Sequence, residues 1–90
     1  MLHQLFEIIE DRKANPTKKS YTARLFAEGE DRILQKVGEE AVEVILAAKG
    51  QGRQRIIEET ADLFYHTLVM LSAKGITIDD IEAELRQRHQ

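Results

Sequence analysis

Apolar residues open the chain at Leu2, Leu5, Phe6 and Ile9, the i, i+3, i+4, i+7 spacing that lines one face of an α-helix. That helix is predicted to stop before Pro16, because proline disfavours the α conformation in the residue preceding it. Asn15 to Ser20 then reads as a loop and Tyr21 to Glu28 as a short helical piece, with Gly29 as a break and Glu30 and Asp31 as the acidic start of the next helix. From Asp31 to Lys49, Ile33, Val37, Ala41, Val44 and Ala48 form the stripe of a second, long amphipathic helix. Gly50 and Gly52 lie where a helix C-cap and a tight turn want residues without a Cβ, so the third helix, Gln54 to Lys74, must double back as an antiparallel hairpin. Its Leu63 to Leu71 segment is apolar nearly all round apart from His66 and Thr67, the pattern of a helix buried on several sides. A fold of this size can hardly cover such a segment alone, which predicts a homodimer joining the helix hairpins of two chains. After Gly75, Thr77 with Asp80 three residues on has the N-cap arrangement for a last helix, Ile78 to about His89. The expected fold is an all-α bundle of four main helices around a central hairpin, without internal repeats.

Ninety residues allow one domain, 1–90, and the absence of cysteine leaves helix packing and association to stabilise it. A net charge of -3 argues against a polynucleotide partner, which would normally be met by a basic face. Met1 to Asn15 lacks the zones of a signal peptide and no apolar run is long enough to span a bilayer, so a cytoplasmic protein with no membrane partner is expected.

The hairpin gives its acidic residues a geometry. On the second helix, at about 100° per residue, Glu40 lies about 60° and Glu43 about 120° from the centre of the apolar stripe, while Glu39 lies about 160° away and should be solvated. Residues equally far from the turn sit at the same height on antiparallel helices. With Gln51 as the midpoint, Glu43 faces Glu59 and Glu40 faces Asp62, and the next pair outward is Lys36 with His66. Four carboxylates converging near a buried surface repel one another unless a cation sits among them. An all-oxygen set favours Mg²⁺, or Mn²⁺, over Zn²⁺, and Mg²⁺ bound this way suits phosphate-ester or phosphoanhydride chemistry.

Other residues gather around this set. Lys36 lies within about 60° of Glu40 and Glu43, where its ammonium can meet a phosphate oxygen or pair with Glu40. His66, one turn beyond Asp62, suits orienting a carboxylate or a water, or simply the bundle edge. Ser20, Tyr21 and Thr22 precede a helix N-terminus, where hydroxyls and backbone N–H groups can hold phosphate or cap the helix. Gly38 costs roughly 1 kcal/mol against alanine inside a helix, which suggests close approach of another helix or a ligand.

Two segments carry a wider likeness: Lys36-Val37-Gly38-Glu39-Glu40-Ala41-Val42-Glu43, and Glu59-Thr60-Ala61-Asp62. Their Glu-x-x-Glu, spacer, Glu-x-x-Asp pattern resembles the MazG-like all-α nucleotide pyrophosphohydrolases. Ser20-Tyr21-Thr22, Leu25-Phe26, Gly29 and Ala61-Asp62-Leu63-Phe64-Tyr65-His66 are similar, within that superfamily, to the phosphoribosyl-ATP pyrophosphohydrolase family. The resemblance implies metal-ligand roles for Glu40, Glu43, Glu59 and Asp62. It also implies hydrolysis of 1-(5-phosphoribosyl)-ATP to phosphoribosyl-AMP and pyrophosphate, the second step of histidine synthesis, just before phosphoribosyl-AMP cyclohydrolase. Glu39 or one of the four would serve as general base. Two other functions fit the residues: a house-cleaning hydrolase of nucleoside triphosphates, separable by a substrate panel, and a non-enzymatic helical oligomerisation module, favoured by absence of Mg²⁺ binding.

Overall fold

Among residues 1–89, which the computed structural model describes, the helices are α1 (Leu2–Ala14), α2 (Tyr21–Glu28), α3 (Glu30–Gly50), α4 (Arg53–Ala73) and α5 (Ile78–Arg88). The short piece expected at Tyr21 is a true helix, because Ser20 accepts the Ala23 N–H through its side chain at 3.0 Å. Gly29 serves as both the C-cap of α2 and the N-cap of α3, at a φ of 104° that only glycine adopts without strain. α3 and α4 form the expected antiparallel hairpin, with a turn of only Gln51 and Gly52. Gly50 remains helical as the last residue of α3, and Gly52, at φ 90°, makes the reversal. Thr77 and Asp80 complete a reciprocal capping box at the start of α5.

Every helix contributes to one core: Phe6 and Ile9 from α1, Leu25 from α2, Ile33 from α3, Leu68, Val69 and Leu71 from α4, and Ile78 from α5. His3 Nε2 meets Asp79 at 3.1 Å and Glu82 at 2.6 Å, which ties the start of α1 to the start of α5. No described helix is long and apolar enough to cross a membrane.

Burial departs from the periodicity in two places. The α3 stripe is buried at Ile33 and half-buried at Val37, Ala41 and Val44; at its end Ala47 is buried and Ala48 exposed, because α3 packs chiefly on α4 and α2 and its outer side has no neighbour among the described residues. Leu68, Val69 and Leu71 are covered within the chain, so of the apolar α4 segment it is Phe64 that stands out, at 49% exposure. The larger uncovered apolar surface lies on α3, at Leu34, Val42, Ile45 and Leu46, with Ile57 and Phe64 on α4.

Candidate active site

Equal distance from the hairpin turn brings Glu40 and Asp62 together, and Glu59, one helical turn before Asp62 on α4, joins them. Oxygens of Glu40, Glu59 and Asp62 all lie within 4.8 Å of one another, with Glu40 9% and Glu59 6% exposed and Asp62 open to solvent. Glu43 stands half-buried beside this trio, close enough for its charge to act on Glu59 and Arg55. Its angle from the apolar stripe, about twice that of Glu40, accounts for the difference. Glu39 is exposed as expected; it accepts a hydrogen bond from Gln35 at 3.2 Å and lies 3.8 Å from the Lys36 ammonium.

The electrostatics are those of a cluster short of positive charge. Burial raises the Glu59 carboxyl above the usual carboxylate range; the Arg55 guanidinium opposes this, and Asp62, Glu40 and Glu43 add to the rise. Arg55 donates to Glu59 at 2.5 Å and to Glu58 at 2.8 Å. Lys36 contacts Glu40 at 3.2 Å rather than the facing His66. Burial works against its ammonium, but the hydrogen bond to Glu40 and the charges of Tyr21, Glu40 and Glu39 outweigh it and raise the Lys36 pKa.

On the α2 side the three hydroxyl residues are already engaged. Ser20 caps the helix, Thr22 is buried against the Tyr65 hydroxyl, and the Tyr21 hydroxyl lies 3.3 Å from His66 Nε2. His66 Nδ1 lies 2.8 Å from the main-chain carbonyl of Asp62, not its carboxylate. A carbonyl only accepts, so Nδ1 donates and Nε2 is left to accept from Tyr21. Tyr21, Tyr65 and His66 pack ring against ring, with the Tyr65 and His66 centroids 4.9 Å apart. Burial raises the Tyr65 phenol, against the lowering effect of its bond to Thr22. Two participants escaped the sequence reading: Arg55, whose signal was its position one turn before Glu59, and Tyr65, whose signal was its place beside His66.

The donor set fits a hard divalent cation. Three carboxylates converge, two of them buried, and Glu40, Glu43, Glu59 and Asp62 outnumber Lys36 and Arg55 by two negative charges.

Comparison with known proteins places the site in a family. The family model described as Phosphoribosyl-ATP pyrophosphohydrolase matches residues 2–89. A phosphoribosyl-ATP pyrophosphatase of Geotalea daltonii is 54% identical over 88 residues, covering 98% of this chain and 83% of that protein. Proteins of the same name from Clostridium acetobutylicum, 50% identical over 100% of this chain and 82% of theirs, and from Lactiplantibacillus plantarum, 52% identical over 97% and 82%, are similarly related. With an all-helical fold, a carboxylate trio across its hairpin and half its residues shared with such relatives, this chain belongs to the phosphoribosyl-ATP pyrophosphohydrolase family.

Proposed function

We propose that this chain hydrolyses 1-(5-phosphoribosyl)-ATP to phosphoribosyl-AMP and pyrophosphate, the second step of histidine biosynthesis, in the cytoplasm, and hands its product to phosphoribosyl-AMP cyclohydrolase. The observation that carries this reading is the convergence of Glu40, Glu59 and Asp62 between α3 and α4 in a chain of this family. These three, with Glu43 beside them, hold Mg²⁺, or Mn²⁺ in its place. Such an ion neutralises phosphate oxygens and acidifies water enough for attack at neutral pH. Lys36 offers its ammonium to a phosphate oxygen from the Glu40 end of the cluster. Glu39, outside the cluster but beside Lys36, takes the proton of the attacking water. Tyr21 and His66 hold α2 against the helix that carries Asp62.

The enzyme works as a homodimer. Leu34, Gly38, Val42, Ile45 and Leu46 recur at i, i+4, i+8, i+11 and i+12 on the outer side of α3, an apolar stripe that no helix among the described residues covers. A Cβ at Gly38 would meet no atom within 4 Å, so this glycine leaves room for a second chain to approach.

Pyrophosphate release from phosphoribosyl-ATP and from a panel of nucleoside triphosphates, with and without Mg²⁺, tests the function. Mg²⁺-dependent turnover of phosphoribosyl-ATP well above every triphosphate is expected; equal or better turnover of a simple triphosphate would overturn the substrate assignment.

A further inference from the structure

The carboxylate row is flanked by a cation at each end. Lys36 reaches Glu40 from the open end of the hairpin, and Arg55 reaches Glu59 from the turn end, each one helical turn before the acid it contacts. Their backbones stand eleven positions apart in height, about 16 Å along the hairpin axis at 1.5 Å per residue. Arg55 is itself half exposed, while the Glu59 carboxylate it holds is buried. A guanidinium seated on a buried carboxylate of a metal cluster occupies the electrostatic place of the ion, and it must give up that hold when the ion arrives.

The two ends of the row differ in their surroundings. At the Lys36 end stand Tyr21, Tyr65 and His66, a group of rings with Tyr21 41% exposed, which suits the nucleoside body of the substrate. The Arg55 end carries no aromatic ring of this group. Besides Glu58 and Glu59, the charge of Glu43 acts on Arg55 there. A bidentate guanidinium at that end is matched to phosphate oxygens that carry no base.

We propose that Arg55 neutralises Glu59 in the metal-free protein and turns to the β- and γ-phosphates of the substrate once the divalent ion is bound. This rests on the carboxylate cluster being the metal site. Arg55 is thereby a substrate-binding residue for the pyrophosphate half, opposite Lys36 at the nucleoside half.

The test compares Arg55→Gln, Arg55→Lys and Glu59→Gln with the parent. Calorimetry with Mg²⁺ alone should show Arg55→Gln binding the ion several-fold more tightly, because the competing cation is gone, while its metal-free form melts at a lower temperature. Its KM for phosphoribosyl-ATP and its inhibition constant for pyrophosphate should each rise about tenfold, with inhibition by phosphoribosyl-AMP little changed. Arg55→Lys, which keeps the charge, should restore Mg²⁺ affinity toward the parent value. A merely structural arginine would lower the melting temperature without tightening Mg²⁺ binding. The proposal is overturned if Arg55→Gln binds Mg²⁺ no more tightly than the parent, or if its KM and pyrophosphate inhibition are unchanged. Glu59→Gln separates the two levels: if it binds Mg²⁺ like the parent, the metal-site reading itself fails, and the Arg55 proposal with it. If it loses Mg²⁺ while Arg55→Gln matches the parent, only the role of Arg55 falls.

Discussion

At Glu59 two demands meet: a carboxylate proposed as a metal ligand is buried beside Glu40, Glu43 and Asp62, and among the described residues Arg55 is the cation in salt-bridge contact with it. A carboxyl whose folded pKa lies above its unfolded value binds its proton more tightly in the folded chain. The stability it contributes is therefore present below the unfolded value and lost as pH rises through the folded one. The metal-free protein should accordingly melt higher in mildly acidic buffer than at neutral pH, and Glu59→Gln should flatten that slope and raise the neutral melting temperature. Amide substitution of Glu40, Glu43 or Asp62 should also spare the fold while removing most turnover and weakening Mg²⁺ binding, with Glu43 least affected because it stands outside the trio. Glu39→Gln should lower turnover with Mg²⁺ affinity retained, as expected of a base beside the site. Calorimetry, melting curves and turnover across these variants decide it, and four inner variants that bind and turn over like the parent would remove the site. The facing heights of the hairpin selected Glu40, Glu43, Glu59 and Asp62 from sequence, of which the structure gathers Glu40, Glu59 and Asp62 and leaves Glu43 beside them. Helix angles also placed Glu39 in solvent. What they could not convey was which cation answers each acid, since Lys36 and Arg55 both look like ordinary i,i+4 surface partners until burial singles out Glu40 and Glu59.

Among the elements, α2 is the one whose existence depends most on tertiary support. Eight residues are too few for a stable isolated helix, so it relies on Ser20 at its start and on a latch to α4. The latch has two side-chain hydrogen bonds, Thr22 with Tyr65 and Tyr21 with His66, and the ring of His66 is itself held by the Asp62 carbonyl. Removing one member strands its partner, so Thr22→Val or Tyr65→Phe should each cost about 1 kcal/mol of stability, and the double variant little more than either alone. Tyr21→Phe should instead act on catalysis, lowering kcat/KM about tenfold, the equivalent of ~1.4 kcal/mol, because the hydroxyl meets His66, whose ring is held by the main chain of Asp62, a proposed metal ligand. Additive losses in the Thr22 and Tyr65 pair, or full activity in Tyr21→Phe, would mean that the latch is not a unit. From the sequence, the Ser20 cap and the Gly29 break were visible as local chemistry. That the hydroxyls of Tyr21 and Thr22 point at α4 was not, because nothing in α2 alone specifies which long helix it lies against.

At the scale of the whole molecule, the chain closes a core from all five helices and still leaves the outer side of its longest hairpin apolar. Periodicity located the missing partner on α4, between Leu63 and Leu71. Within the hairpin the structure leaves Leu34, Val42, Ile45 and Leu46 of α3 uncovered but only Ile57 and Phe64 of α4, because α1 packs on α4 and α2 is latched to it through Tyr65 and His66. The stripe of Val42, Ile45 and Leu46, exposed by 48 to 61%, is where the proposed homodimer would close, since a second copy carries the matching stripe. The parent should therefore sediment as a dimer at micromolar concentration. Ile45→Glu places a charge in the seam, at a cost of several kcal/mol if it is buried there unpaired, and should give a helical monomer at the same concentration. Gly38→Ala is the sharper probe because it acts oppositely on the two states. Within one chain the added methyl meets nothing, so the monomer should gain up to about 1 kcal/mol of helix propensity; at a close helix crossing the same methyl must push the partner away and weaken the dimer. The expected result is an Ala variant whose dilute, monomeric form melts higher than that of the parent while its dimer dissociates at lower dilution. A parent that sediments as a fully helical monomer at micromolar concentration, or a Gly38→Ala variant that associates as tightly as the parent, would count against α3 as the seam.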